Sequence, residues 1–379
     1  MTNDSKSNPC HSFRLTAWHK TQAAMLYHYS SLDYLKGLHQ LVSNLINGVI
    51  DPMVELAKAQ GRDSIMVSKR WGERDTVQNW TNNAWPFLIE LRQSISKDIA
   101  LRTAECYKFT ATDQCLRGLD EFSTNWTTPQ EEEQVRAILQ EISSYATKID
   151  NTLDDWPSSR WKDSTFAYYY QEFSKEFPLI PKFHVRTDVQ AECGKTPPRT
   201  GVYISSEDPN AALQFAWIGK GGGKLRPART FNEIGLDALA YVGRKDLWFN
   251  EQKMLEFAMS TKYRSKFEKE VQFDGKPDPG FARSAVSRAA FTERPSKWYF
   301  VEMVNEEFED IAIVDQNDSA SLRPPQRLRV EGGHKCTCAG YWFTPAKIGS
   351  RRHFNEGETM PIFDTGYGTT FWQWDTTQD

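Results

Sequence analysis

Residues 219 to 224 read GKGGGK, four glycines and two lysines in six positions. Clustered glycines let successive backbone N–H groups converge on an anion, so this stretch must first be tested as a phosphate-binding loop. A Walker loop requires G-x-x-x-x-G-K-[ST], whose hydroxyl reaches the metal. Counting from Gly219, the sixth position is Lys224 instead of glycine, and the residue after that lysine is Leu225, where the motif's lysine is followed by Ser or Thr. A dinucleotide fingerprint, G-x-G-x-x-G, fits at Gly219 and Gly221 but places Lys224 at its third glycine. The preceding NAALQFAW reads as a short helix capped at Asp208-Pro209, not as the buried strand such loops follow. The loop therefore reads as a flexible, positively charged connection.

Other chemistry is equally incomplete. His334, Cys336 and Cys338 lie in HKCTC, but structural zinc uses C-x2-4-C pairs with a second pair elsewhere. The C-x-C spacing is tight and the further donors are only His353 and the distant Cys193, so buried thiols are expected and no metal or cofactor. There is no G-x-S-x-G elbow. His11, His19, His28, His39 and His184 are scattered, without a partner pattern for nucleophilic catalysis. The carboxylates at Asp154-Asp155 and at Glu306, Glu307, Glu309 and Asp310 read as solvated faces, which can also complement a basic partner. No motif supports an enzyme.

The elements that must position these residues divide the chain in two. The first half shows helical periodicity. An apolar stripe runs from Trp18 through Met25, Tyr29, Leu32, Leu35, Leu38, Val42 and Leu45, which predicts one long helix. Asp51-Pro52 reads as a cap and first turn, and a further helix carries Leu88, Leu91, Ile95 and Ile99. TTPQEEEQVRAILQEISSYATKID has Thr128 and Glu131 at capping-box spacing, with Glu131, Glu132 and Glu133 at the positive end of the helix dipole. SSRWKDSTFAYYYQEFSKEF predicts one more helix, and the prolines of FPLIPKF end the helical region.

Beyond it, short β-branched and aromatic stretches alternate with Gly/Pro turns: RTGVYIS, KWYFVEMV, DIAIVDQ, QRLRVEGG, GYWFTPA and GTTFWQWD. Two helical segments interrupt them, the second capped at Asn250. Cys193 and Cys336 each precede a Gly-x-aromatic strand, the trace two related β modules would leave, and residues 273 to 295 read as the link between them. The expected fold is α+β: an all-α bundle over 1–180, then a β-rich region over 181–379 with sub-modules 190–270 and 296–379.

Composition bounds the partner. The net charge of −4 is spread evenly, with 21 basic and 23 acidic residues through Arg186 and 25 and 27 after it, which excludes a bulk-basic nucleic-acid binder. No apolar run is long enough to span a membrane, and MTNDSKSNPCHSFRLTAWHK has no continuous apolar core of a secretory signal, so the expected location is the cytoplasm. Six cysteines there are expected as free thiols. The 13 Trp, 14 Tyr and 22 Phe suit either large cores or a surface prepared for partners.

Two long stretches carry a family resemblance. CGKTPPRTGVYISSEDPNAALQFAWIGKGGGKLRPARTFNEIGLDALAYVGRKDLW and CTCAGYWFTPAKIGSRRHFNEGETMPIFDTGYGTTFWQWD resemble immunity proteins of bacterial polymorphic-toxin systems, encoded beside Rhs-type or other toxins delivered by type VI secretion. The pattern G-x-W-F-T-P-A, then R-R-x-F-x-x-G-E-x-M-P, then W-Q-W-D covers much of residues 330 to 375. The resemblance implies stoichiometric inhibition of a cognate toxin by binding, and it brings no catalytic residue. By chemical type, the residues expected at such an interface are Asp154, Asp155, Tyr168, Tyr169, Lys220, Lys224, Arg226, Glu306, Glu307, Glu309 and Asp310. The competing readings are an aromatic-rich module that stacks glycans or peptides, and a nucleotide-using enzyme centred on the glycine loop.

Overall fold

The computed structural model describes residues 15–62, 72–153, 160–219, 223–310, 329–336, 339–344, 347, 349–363 and 370–375. The chain forms two compact units, Met1–Ile311 and Ala312–Asp379. It is α+β, with helices leading and antiparallel strands following.

Helices α1 (Ala17–Ser30), α2 (Leu32–Asn44), α3 (Asp51–Ala59), α4 (Val77–Asn83), α5 (Trp85–Arg102), α6 (Thr112–Asp120), α7 (Pro129–Leu153) and α8 (Asp163–Glu176) open the first unit. The single long helix expected from Trp18 is broken. Ser31 adopts an extended backbone, ends α1, and caps α2 by accepting from Tyr34 N at 3.1 Å. Leu45–Ile50 then forms a π-helical stretch that runs directly into α3. Asp51 is thus a helical residue and not a cap, and its carboxylate accepts instead from Trp85 Nε1 at 3.1 Å. The capping box of α7 is present as read: Glu131 N donates to Thr128 Oγ1 and Thr128 N to Glu131 Oε2.

Four strands complete the central layer: β1 (Leu179–Glu192), β2 (Gly201–Ser205), β3 (Gln214–Ala216) and, later in sequence, β8 (Lys297–Asp310). They form an antiparallel sheet in the order β1-β8-β2-β3. Alternation along β2 explains why all five of its residues are buried. Val202 and Ile204 join the helical core, while Tyr203 points to a second cluster with Trp298, Phe300 and Leu225. The expected junction near residue 180 falls inside this unit, because the core that holds Leu35 and Leu88 also holds Val202, Phe215 and Val301.

A second subcore closes the unit. The ribbon of β4 (Ala228–Phe231) and β7 (Phe291–Arg294) packs with α9 (Glu233–Val242), α10 (Glu251–Ala258), the short α11 (Arg264–Phe267) and α12 (Pro279–Ala289) around Trp248, Phe231 and Phe257. The small hairpin β5 (Gln272–Phe273) and β6 (Lys276–Pro277) precedes α12. The segment expected to be a linker is therefore mostly ordered structure. Asp278 caps α12 ahead of Pro279, accepting from Gly280 N at 2.8 Å. Asp163 ties this subcore to the helices, accepting from Trp18 Nε1, Trp248 Nε1 and Arg244 Nη2 at 2.6 to 2.7 Å.

The second unit is a sheet of β9 (Arg329–Glu331), β10 (Gly340–Phe343), β11 (Arg352–Phe354) and β12 (Phe371–Trp374) in the order β11-β10-β12-β9. The G-x-W-F, R-R-x-F and W-Q-W-D residues supply its interior: Trp342, Phe354 and Trp372 are fully buried with Met360 and Cys336. Arg351 pairs with Asp375 at 2.5 Å, and Arg352 lies 4.4 Å over the Phe354 ring. That motif encodes packing.

Candidate functional site

The glycine loop does line a cavity, although not as a phosphate cradle. Residues 214 to 216 form a buried strand, so the expected helix before the loop is absent, and Asp208 instead shapes a turn by accepting from Asn210 N at 2.9 Å. Trp217 N donates to Gly223 O at 3.2 Å and closes the loop. Its outer glycines are required by close packing. A Cβ at Gly219 would collide with the carbonyl oxygen of Glu105, and one at Gly223 with the indole of Trp217. Lys220 lies outside the described residues.

Gln214 fixes the returning chain. Its Oε1 accepts from Arg226 N at 2.9 Å, and its Nε2 donates to the carbonyls of Arg226 and Pro227. Opposite runs the segment after α5, where Tyr107 meets Phe215 at 5.0 Å and Trp217 at 5.3 Å between ring centroids. The third wall is the end of α7, held by Trp161 Nε1 donating to Thr152 Oγ1 at 2.9 Å. Arg160 Nη2 reaches from there to Pro227 O and Glu293 Oε1, both at 3.1 Å.

These walls enclose a cleft of about 630 Å³. Tyr107 and Trp217 form its aromatic floor, Phe109 stands at 49% exposure, and Lys108, Arg160, Lys224 and Arg226 supply cations. The described lining residues include no carboxylate. Burial drives the Arg160 guanidinium down, opposed by Glu293, and drives the Tyr107 phenol up, opposed by Arg102. Trp217 Nε1 and Arg160 Nε are buried without an acceptor.

The residues expected from the sequence do not converge on one surface. Lys224 and Arg226 line the cleft. Asp154 and Asp155 lie outside the described residues. Tyr168 is exposed on α8 with Arg283 5.9 Å over its ring, whereas Tyr169 is half-buried against Trp161 and Lys148. The acidic run on β8 is partly neutralised within the chain: Glu307 pairs with Lys182 at 3.1 Å and Glu309 with Lys20 at 2.8 Å. Glu306 is exposed at positive φ (62°), in the bulge where β8 has more residues than β1, and Asp310 is half-buried opposite Leu179. Tyr107, Lys108, Phe109, Arg160 and Trp217 were missed by sequence reasoning. Only Trp217, beside the glycine loop, carried a local signal.

Three of the described histidines pack against neighbouring elements. His19 reaches Pro209 O at 2.9 Å, His39 reaches Ser96 Oγ at 2.9 Å, and His28 sits among Tyr34, Phe173 and Phe177. Burial, with Lys148 nearby, lowers His28 to about 4. His334 is exposed, Cys336 is buried, and Cys338 lies outside the described residues. Among the described residues, no group of three His, Cys, Asp or Glu side chains is placed to hold a metal ion, and no helix is long and apolar enough to cross a membrane. Protein-family models, curated proteins and solved structures yield no significant match to the chain.

Proposed function

We propose that the chain is an immunity protein that binds a cognate secreted antibacterial toxin, of the type VI or Rhs-linked kind, and inhibits it stoichiometrically in the cytoplasm. The observation that carries this reading is the aromatic and cationic cleft built where the segment after α5, the end of α7 and the glycine loop after β3 meet. Phe109 offers an exposed anchor, and Lys108 and Lys224 line the same cleft. Anchors of this type dominate binding energy when a partner excludes water around them. The cleft would be the centre of an interface of about 1,200–2,000 Å². The long resemblance in residues 190–270 and 330–375 supports the same class of function, and Gly219 and Gly223, explained by packing, add nothing to a nucleotide-using enzyme.

Inhibition in this reading is mechanical: a loop of the toxin fills the cleft, and its active site is covered or held in an inactive shape. The test is co-expression with the C-terminal domain of the toxin encoded directly upstream. Survival of the cells and a co-purifying complex are expected. Phe109→Ala with Lys224→Glu, both at exposed positions, should weaken the complex by tenfold or more, by the usual worth of about 1–3 kcal/mol for such anchors. Absence of both survival and a co-purifying complex would sink the proposal.

A further inference from the structure

A separate cleft of about 590 Å³ opens between four helices of the first unit, and none of its lining residues lines the cleft of Tyr107 and Trp217. The last turn of α1 brings His28 and Tyr29 to it, and the first turn of α2 brings Tyr34. Glu141, Tyr145 and Lys148 follow at helical spacing along α7, and Glu172, Phe173 and Glu176 come from α8. The Tyr145 ring stacks on Tyr34 at 3.9 Å between centroids, and its hydroxyl donates to the Tyr34 carbonyl at 3.0 Å. Phe173 and His28 meet the Tyr29 ring edge-on. The wall is thus aromatic and held by its own contacts.

Two features of this wall call for a ligand. Tyr29 and Tyr34 are only 3% and 8% exposed, yet neither hydroxyl has a hydrogen-bond partner among the described residues, and neither is sealed from solvent. The rim, in turn, is negative. Lys148 is the one cation among the described lining residues, and Glu172 holds its Nζ at 2.5 Å. Burial lowers His28 to about 4, so it brings no positive charge at neutral pH. Asp33 pairs with Lys36 at 3.2 Å, whereas Glu141 and Glu176 make no ion pair among the described residues. Burial pushes the phenols of Tyr29, Tyr34 and Tyr145 up, and the Glu176 charge adds to it in each. Phenol oxygens accept from N–H donors, aromatic rings attract cations, and a free carboxylate completes a charge-assisted pair. A planar guanidinium meets all three demands, because it carries five N–H donors and stacks on rings. We propose that this cleft binds a guanidinium carried on an alkyl stem, with its head at the Tyr29 and Tyr34 hydroxyls and its charge balanced by Glu141 and Glu176. The same chemistry is available from a free alkylguanidine and from an arginine side chain of a protein.

The experiment is calorimetric titration of the full chain with butylguanidine against butylurea, and with N-acetyl-Gly-Arg-Gly-amide against its citrulline counterpart. Saturable binding of a guanidinium compound is expected, with the neutral counterpart at least tenfold weaker. A peptide at least tenfold tighter than butylguanidine identifies a protein side chain as the source; otherwise the source is the free small molecule. Glu141→Gln with Glu176→Gln, both at exposed positions, should weaken the guanidinium tenfold or more and leave the neutral compounds unchanged. Tyr29→Phe removes the unpartnered hydroxyl and keeps the ring. It should weaken binding by about threefold or more while leaving the thermal midpoint unchanged or raised, since no internal hydrogen bond is lost. No saturation with either guanidinium compound at millimolar concentration, equal binding of charged and neutral counterparts, or wild-type affinity in either variant would each overturn the proposal.

Discussion

Asp163→Ala is the sharpest test of how the first unit is held together. The carboxylate is 4% exposed at the first position of α8. Oδ1 accepts from Trp248 Nε1 at 2.6 Å and Arg244 Nη2 at 2.7 Å, and Oδ2 accepts from Trp18 Nε1 at 2.7 Å. Alanine leaves all three donors behind. A buried unmatched N–H costs about 1–3 kcal/mol. Trp248 is fully buried and bears this in full, while Arg244, 24% exposed, can rehydrate in part. The sum is about 3–5 kcal/mol, the range for breaking a buried charged pair. At about 2.1 cal/mol/K per residue, a unit running Met1–Ile311 has an unfolding entropy of about 0.6 kcal/mol/K. The midpoint should therefore fall by about 5–8 °C in calorimetry, with a matching loss in urea titration. Asp163→Asn keeps one acceptor and turns the other oxygen into a donor facing an N–H, so it should fall between wild type and alanine. In a double-mutant cycle, Trp18→Phe should cost less in the alanine background than in the wild type. A loss below about 1 kcal/mol for Asp163→Ala, or full additivity with Trp18→Phe, would refute the view that this carboxylate joins α1, α8 and the Trp248 subcore.

Three further outcomes are expected. His28 is held neutral with its value lowered to about 4, so the unfolded chain takes up a proton first; stability should fall as pH drops from about 6.5 to about 4, then level off. Discounted for partial exposure, this amounts to about 1–2 kcal/mol, and urea midpoints of His28→Phe should lose that slope. Glu131 is held below the usual carboxylate range by the bidentate Arg62, at 2.6 and 3.1 Å, so its contribution is present above about pH 4.3 and lost as pH falls through the lower folded value. Arg62→Met should bring the Glu131 titration up in carboxyl NMR and cost about 1–2 kcal/mol. Gly219→Ala drives a Cβ into a backbone carbonyl that cannot move cheaply and should cost about 1–3 kcal/mol in urea unfolding, whereas Gly48→Ala, with nothing within 4 Å in the helical Leu45–Ile50, should gain about 0.4–1 kcal/mol.

Local patterns carried much of the fold. Thr128 and Glu131 announced a helix start because a capping box is a contact between residues three apart. Asn250 did the same for α10. The break at Ser31 was less legible, since the apolar stripe continues across it and only the backbone turns. The buried strand Gln214–Ala216 was misread as a helix because three residues are shorter than a helical turn and too few to show a repeated strand alternation. The acidic run on β8 was legible as charge, but its lysine partners at 20 and 182 come from α1 and β1.

The candidate sites show the same division. Composition and spacing alone determined the α+β class, the incompleteness of GKGGGK as a nucleotide loop, and the residue types available for binding. Tertiary structure alone decided that Tyr107, Phe109, Arg160 and Trp217 share one cleft with Lys224. The physical reason is reach. Periodicity and capping act within a few residues, whereas burial and hydrogen-bond satisfaction are set by segments that meet only when β8, from residue 297 onward, inserts between β1 and β2.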